Sequence, residues 1–187
     1  MQDIPREALK RASEGNIDDF EVIYKATSGF VYSVALGITK NRSSAEDVVQ
    51  EVFLKIYKSL NNFQFRSTFK TWVYRITINT AINKYKNKLK YGSLKNKYEQ
   101  EVRYDYFYNQ SESLIDKQDN KRFLAVLLDK LNVNQKTCII LREIEGLTYK
   151  EISEVLNVKV NTVRTRLKRA RETLMAGKIK EVIKNEL

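Results

Sequence analysis

Residues 147–171 read LTYKEISEVLNVKVNTVRTRLKRAR, and this stretch decides the fold. Thr148 and Glu151 stand at capping-box spacing, which starts a helix at Tyr149 and carries it to Leu156. Gly146 is a natural stop for the helix before it. A second helix begins near Thr162. At 100° per residue Val163, Leu167, Ala170 and Leu174 fall within about 40° of one another and form its buried face. The opposite face then holds Asn161, Thr165, Lys168 and Arg169, with Thr162, Arg164, Arg166 and Arg171 on the flanks. A capped helix, a short turn and a second helix with a basic outer face make a helix-turn-helix. In a major groove, the facing side chains of such a helix reach base edges and the flanking ones reach phosphates. Lys and Arg donate to guanine acceptors, and Thr meets thymine or either base type. Open backbone N–H groups near Asn161 and Thr162 favour a phosphate oxygen. The competing reading is a solvated basic helix closing a bundle, which leaves the capped helix ahead of it without a purpose.

The rest of the composition narrows the class. A chain of 187 residues, 42% of them hydrophobic, suffices for one or two domains with real cores. With one proline, six glycines and no sustained period-two alternation, the expectation is all-α. The net charge of +11 and pI near 9.6 favour a polyanionic partner, nucleic acid or an acidic membrane surface. Histidine is absent and Cys138 is the sole cysteine, which excludes an intrachain disulfide, a zinc site and every histidine-based triad. No catalytic residue, metal or cofactor is therefore expected, and the protein is read as a non-enzyme. Cys138 sits in the apolar run CIIL and reads as a buried structural thiol. No apolar stretch approaches the roughly 20 residues that cross a bilayer, and the start MQDIPR has no signal-peptide core, so a cytoplasmic protein without membrane insertion is expected.

Charge divides the chain. Residues 1–90 and 118–187 are both net basic, whereas 91–117 is slightly acidic and contains YDYFY at 104–108. That middle segment reads as a linker between two helical domains. In the first, a helix over Asp18–Thr39 is apolar at Phe20, Ile23, Tyr24, Val31, Val34 and Ala35. Ser43 and Glu46 predict a capping box for a second helix ending near Leu60, and a third runs from Ser67 or Thr68 to about Leu89, apolar at Phe69, Trp72, Val73, Ile76 and Thr80. The second domain reads as four helices: Asn120–Leu131, Asn134–Glu145, Tyr149–Leu156, and one from Thr162 onward.

The first domain carries two constellations of its own. On the second helix Val48, Val49, Val52, Phe53 and Ile56 form the core side, while Asp47, Gln50, Glu51, Leu54 and Lys58 follow a separate surface stripe. Acid, amide and an exposed Leu together suit a protein contact; a plain solvated face accounts for the charges but not for Leu54. The other constellation is NNFQFRSTFKTW, residues 61–72, followed by Arg75, Asn79, Asn83 and Lys86 on one polar stripe. Amides there reach a base edge, and Phe63 and Phe65 offer aromatic surface for an unstacked base. Alternatively Phe63, Phe65 and Trp72 simply close the core.

The motifs AEDVVQEVF (45–53), FKTWVYRITIN (69–79), EGLTYKEI (145–152) and NTVRTRLKRAR (161–171), in this order and spacing, resemble the extracytoplasmic-function (ECF) sigma factors of bacterial RNA polymerase. The resemblance spans about Asp18 to Leu174. It implies a sigma-two domain over 1–90, a linker over 91–117 and a sigma-four domain over 118–187. It further implies that Asp47, Gln50, Glu51 and Leu54 meet core polymerase. Asn61, Asn62, Phe63, Phe65, Arg66, Arg75, Asn79 and Asn83 would hold the opened minus-10 strand. Asn161, Thr162, Arg164, Thr165, Lys168, Arg169 and Arg171 would bind minus-35 duplex. Glu99, Glu101 and Asp105 would mimic nucleic-acid charge along the linker, and an anti-sigma factor is the implied inhibitor. Asn161 stands where many members have Gly, and Asn also serves as a helix cap. Val133 replaces a frequent Pro. The alternative is a two-domain helix-turn-helix regulator that senses a ligand or dimerises, which predicts an effector pocket and palindromic half-sites.

Overall fold

The computed structural model describes residues 4–92, 128 and 130–185, with side chains through 90 in the first stretch and through 177 in the last. Contacts divide the chain into two compact units, Met1–Glu99 and Gln100–Leu187, each of which is helical throughout its described residues apart from turns. The linker expected at 91–117 lies outside the described residues beyond Gly92, together with its acidic and tyrosine-rich run. The helix expected at Asn120–Leu131 is likewise outside them except at its last positions.

Unit 1 holds α1 (Arg6–Ser13), α2 (Ile17–Thr39), α3 (Arg42–Ser59), a 3₁₀ turn (Leu60–Asn62) and α4 (Phe69–Gly92). Helix α1 adds to the three expected helices. It begins after Pro5, whose fixed φ suits a helix start, and buries Ala8, Leu9 and Ala12. Asn16 caps α2, accepting from the Asp19 N–H at 3.0 Å, and Lys40 ends it in the left-handed region at φ 56°. The bidentate pair from Arg11 to Asp19, at 2.6 and 2.8 Å, ties α1 to α2. The expected Ser43–Glu46 capping box does not form. Asn41, two residues earlier, caps α3 by accepting from the Ser44 N–H at 2.8 Å, because Ser43 is already inside the first turn. Thr68 accepts from the Thr71 N–H at 3.1 Å at the head of α4.

Helices α2, α3 and α4 pack mutually around Ile23, Val31, Val34, Val48, Val52, Ile56, Val73 and Ile78. Each large aliphatic side chain buried this way contributes about 1.5–3 kcal/mol. The same interior takes in Thr27, Thr39 and Thr77, whose hydroxyls donate to the carbonyls of Ile23, Ala35 and Val73 four residues back, at 2.7–2.8 Å. No buried side-chain polar atom among the described residues lacks a partner. Val49, assigned to the core side of α3, is half-buried, and Tyr24 is 45% exposed with its ring against Phe53.

Unit 2 holds α5 (Val133–Ile139), a π-turn (Ile140–Ile144), α6 (Tyr149–Leu156) and α7 (Val160–Asn185). A reciprocal capping box between Asn132 and Gln135 starts α5. Val133 is therefore the first helical residue, a position that also suits proline. The helix expected to run unbroken to Glu145 widens at Ile140, where the Glu145 N–H reaches back to the Ile140 carbonyl at 3.1 Å. Gly146 turns the chain at φ 69°. The Thr148–Glu151 capping box forms as expected, with bonds of 3.2 and 2.7 Å, and Asn157 ends α6 at φ 50°. Cys138, Ile140, Leu141, Leu147, Ile152, Val155, Val163, Leu167 and Ala170 form the core.

Candidate nucleic-acid and polymerase interfaces

The recognition face of α7 follows from what its other side buries. Val163, Leu167 and Ala170 are fully enclosed and Leu174 is half-buried, so Asn161, Arg164, Thr165, Lys168 and Arg169 are left exposed and Thr162 half-buried. Helix α7 begins at Val160, two residues before the expected start. Asn161 consequently lies within the first turn and does not cap it; its Oδ1 accepts from Arg164 Nη1 at 3.2 Å. The Thr162 N–H donates to the Lys159 carbonyl at 2.8 Å and is not the open phosphate donor expected there. Thr165 donates back to the Asn161 carbonyl at 2.9 Å, keeping its methyl and its oxygen lone pairs for a base edge. Lys168 lies 3.9 Å from Glu172, a loose contact that leaves the ammonium available.

Arg171 behaves differently from its neighbours. Its Nη2 donates to Glu143 Oε1 at 2.9 Å, and its Nη1 approaches the Tyr149 hydroxyl at 3.5 Å. These groups raise the guanidinium further above its ordinary value, Glu143 most. Cys138 is buried as expected, and burial pushes its thiol up against the opposing pull of Arg166.

In unit 1 the stripe Asp47, Gln50, Glu51, Leu54 and Lys58 is exposed along its length, Leu54 at 52%, while Val48, Val52, Phe53 and Ile56 are buried behind it. Asp47 pairs with Lys84 of α4 at 2.9 Å and Glu51 with Lys55 at 2.6 Å. Both pairs are half-exposed, so a competing partner displaces them at little cost.

The loop after α3 brings four aromatic rings together. Phe63 is half-buried, with ring centroids 4.7 Å from Phe65, 5.1 Å from Trp72 and 5.7 Å from Phe69. Phe63 and Trp72 therefore help close the domain. Phe65 does not: it is 43% exposed and adopts φ 54°, a left-handed conformation that a bulky residue rarely takes. The Arg6 guanidinium of α1 sits over its ring, 4.2 Å from the centroid. Arg6, Leu9, Phe65, Phe69 and Lys70 line a cavity of about 270 Å³ beside it. The contact of Arg6 with this loop is not read from the sequence; Pro5 followed by apolar Ala8, Leu9 and Ala12 is the available signal for its helix. Asn61, Asn62 and Arg66 are exposed on the same loop, Asn79 and Asn83 are exposed on α4, and Arg75 is half-buried.

A polar face aimed outward from a helix-turn-helix, and a second helical unit with an aromatic loop beside an amide and arginine stripe, lie in stretches that profiles of the sigma-70 class match. The sequence profile of Sigma-70 region 2 matches residues 23–90, and that of Sigma-70 region 4 matches residues 124–174. The RNA polymerase sigma-H factor of Pseudomonas aeruginosa is 30% identical over 184 residues, covering 92% of this chain and 93% of that one. The ECF RNA polymerase sigma-E factor of Haemophilus influenzae is 33% identical over 175 residues, covering 89% and 90%. In fold, the chain is similar to CnrH in its complex with the cytosolic domain of CnrY, with a TM-score of 0.69 at 22% identity over 93% of this chain and 96% of that one. It is also similar to RpoE in its complex with the anti-sigma factor NepR from Bartonella quintana, with a TM-score of 0.65 at 23% identity over 85% and 96%. The chain belongs to the ECF sigma factors of RNA polymerase. The ligand-sensing regulator considered from the sequence is thereby set aside.

Proposed function

We propose that the two units divide the work of a sigma factor, with 1–90 as the sigma-two domain, 91–117 as the linker and 118–187 as the sigma-four domain. The observation that carries this reading is the outer face of α7: Asn161, Arg164, Thr165, Lys168 and Arg169 stand exposed opposite the enclosed Val163, Leu167 and Ala170. Those residues, with Thr162 on the flank, bind minus-35 duplex in the major groove. Asp47, Gln50, Glu51 and Leu54 dock on core polymerase. Asn61, Asn62, Phe63, Phe65 and Arg66, with Arg75, Asn79 and Asn83, hold the opened minus-10 strand. Capturing unpaired bases offsets the few kcal/mol that unstacking costs per step, so binding itself drives melting. The subunit makes no bond of its own and works in the cytoplasm, where the polymerase is. Two structural neighbours are complexes of CnrH with CnrY and of RpoE with an anti-sigma factor, which supports an anti-sigma factor as inhibitor of this chain as well.

Transcription by core polymerase with and without this chain on genomic DNA, followed by mapping of start sites, tests the reading. New starts sharing two separated sequence elements are expected. A core enzyme that gains no starts refutes it.

A further inference from the structure

We propose that Arg171 is a positioning residue that latches the recognition helix to the π-turn, and not one of the DNA ligands. This rests on the assignment of α7 to minus-35 duplex. Arg171 Nη2 donates to Glu143 Oε1 at 2.9 Å across 28 residues of sequence, and Glu143 belongs to the π-turn. Its Nη1 lies 3.5 Å from the hydroxyl of Tyr149, the first residue of α6. The Tyr149 ring is faced in turn by the Arg142 guanidinium, 5.3 Å from its centroid, and Arg142 Nη1 donates to the Leu147 carbonyl at 2.9 Å. Arg142, Glu143, Tyr149 and Arg171 thus join three elements of the motif: the π-turn, the head of α6 and the body of α7.

Position along α7 explains what the latch does. Base-reading side chains of such helices cluster in the N-terminal turns. Arg171 lies ten residues beyond Asn161, about 15 Å along the axis at 1.5 Å per residue. Between them, the helix buries Val163, Leu167 and Ala170 along one side. In the proposed role the bond at the far end restrains rotation of α7 about that line, and through it the direction in which Thr165, Lys168 and Arg169 point. The ion pair is half-exposed on both sides, 49% and 51%, so it adds little to folding and its effect falls on orientation.

The two roles separate on charge exchange. The complete chain, assembled with core polymerase, is measured for promoter affinity over a salt series as wild type, R171A, E143Q and the exchanged double variant E143R/R171E. Melting of each free chain is followed in parallel. For a latch, R171A and E143Q weaken binding by a similar factor, about fivefold, as expected for coupled neighbours. The slope of log affinity against log salt stays unchanged, and the exchanged variant returns to within about twofold of wild type. For a phosphate ligand, E143Q leaves affinity unchanged or raises it, R171A lowers the slope by about 0.9, and the exchanged variant is the weakest of all; that pattern overturns the proposal. An R171A chain that melts well below wild type is decided by E143Q and the exchanged variant, which keep or replace both polar groups. R169A runs alongside: wild-type affinity in R169A refutes the α7 assignment itself, whereas a weakened R169A with wild-type E143Q refutes only the latch.

Discussion

Replacing Phe65 separates its backbone conformation from its ring. The side chain is 43% exposed, so its buried portion contributes about 1 kcal/mol. Its contact with Phe63 at 4.7 Å adds about 0.5–1.5 kcal/mol, and Arg6 over the ring about 0.5–1 kcal/mol. F65A loses all of this, about 2–3.5 kcal/mol, and still sits at φ 54°, where a residue with a Cβ is strained by about 1–2 kcal/mol. F65G loses the same contacts and sheds the strain, less about 0.5–1 kcal/mol for the freer unfolded chain. Glycine should therefore be the more stable replacement, by up to about 1.5 kcal/mol, reversing the usual order, and should melt a few degrees above F65A in a domain of this size. In function the two variants should match. Stacking of a base on an aromatic ring is worth about 1–3 kcal/mol, so open-complex formation, read by permanganate reactivity or a fluorescent base analogue at the minus-10 element, should fall roughly 5- to 150-fold in both. A glycine variant less stable than F65A would refute the left-handed conformation. Wild-type melting of the promoter by either one would show that the ring only closes the core.

Asp47→Ala removes a half-exposed pair with Lys84, so thermal stability should change by less than about 1 kcal/mol while affinity for core polymerase falls; unchanged affinity in a pull-down or anisotropy titration would count against the α3 surface. Thr148→Ala breaks the capping box that starts α6 and should cost about 1 kcal/mol, with Glu151→Ala similar and the double variant less than additive, as read by thermal melting. The Arg11 guanidinium holds the Asp19 carboxyl below its ordinary 3.8. With the folded value depressed, this pair stabilises unit 1 above the ordinary carboxylate range and the contribution disappears as pH falls through the folded value. D19N should accordingly show a shallower loss of melting temperature on acidification than wild type, and an identical acid limb would exclude the pair as a contributor.

What was legible in the sequence was local and periodic. Thr148 and Glu151 gave the start of α6 correctly because a capping box is a short-range device. Val163, Leu167 and Ala170 gave the orientation of α7 because burial repeats with the helix turn. Ser43 and Glu46 matched a capping pattern, yet Asn41, two residues earlier, bonds the Ser44 N–H and takes the cap. Short α1 was passed over because eight mostly polar residues carry little periodicity, although its Ala8, Leu9 and Ala12 bury one face. The π-turn at Ile140 and the left-handed Phe65 have no local signature, since both are imposed by packing. Pairs such as Glu143 with Arg171 or Asp47 with Lys84 depend on how helices meet, which periodicity does not encode. For that reason periodicity alone places Arg171 simply on the basic flank of α7.

The threonines inside unit 1 have a mechanical consequence. Thr27 and Thr77 donate within their own helices, so each donor travels with its acceptor, while Thr39 also reaches the Asn41 carbonyl at the head of α3 at 3.3 Å. A small shift of α2 against α4 leaves the Thr27 and Thr77 bonds intact, whereas the Lys55 to Thr80 bond, at 3.0 Å, ties α3 to α4. That part of the interior can adjust its packing while its hydrogen bonding stays constant.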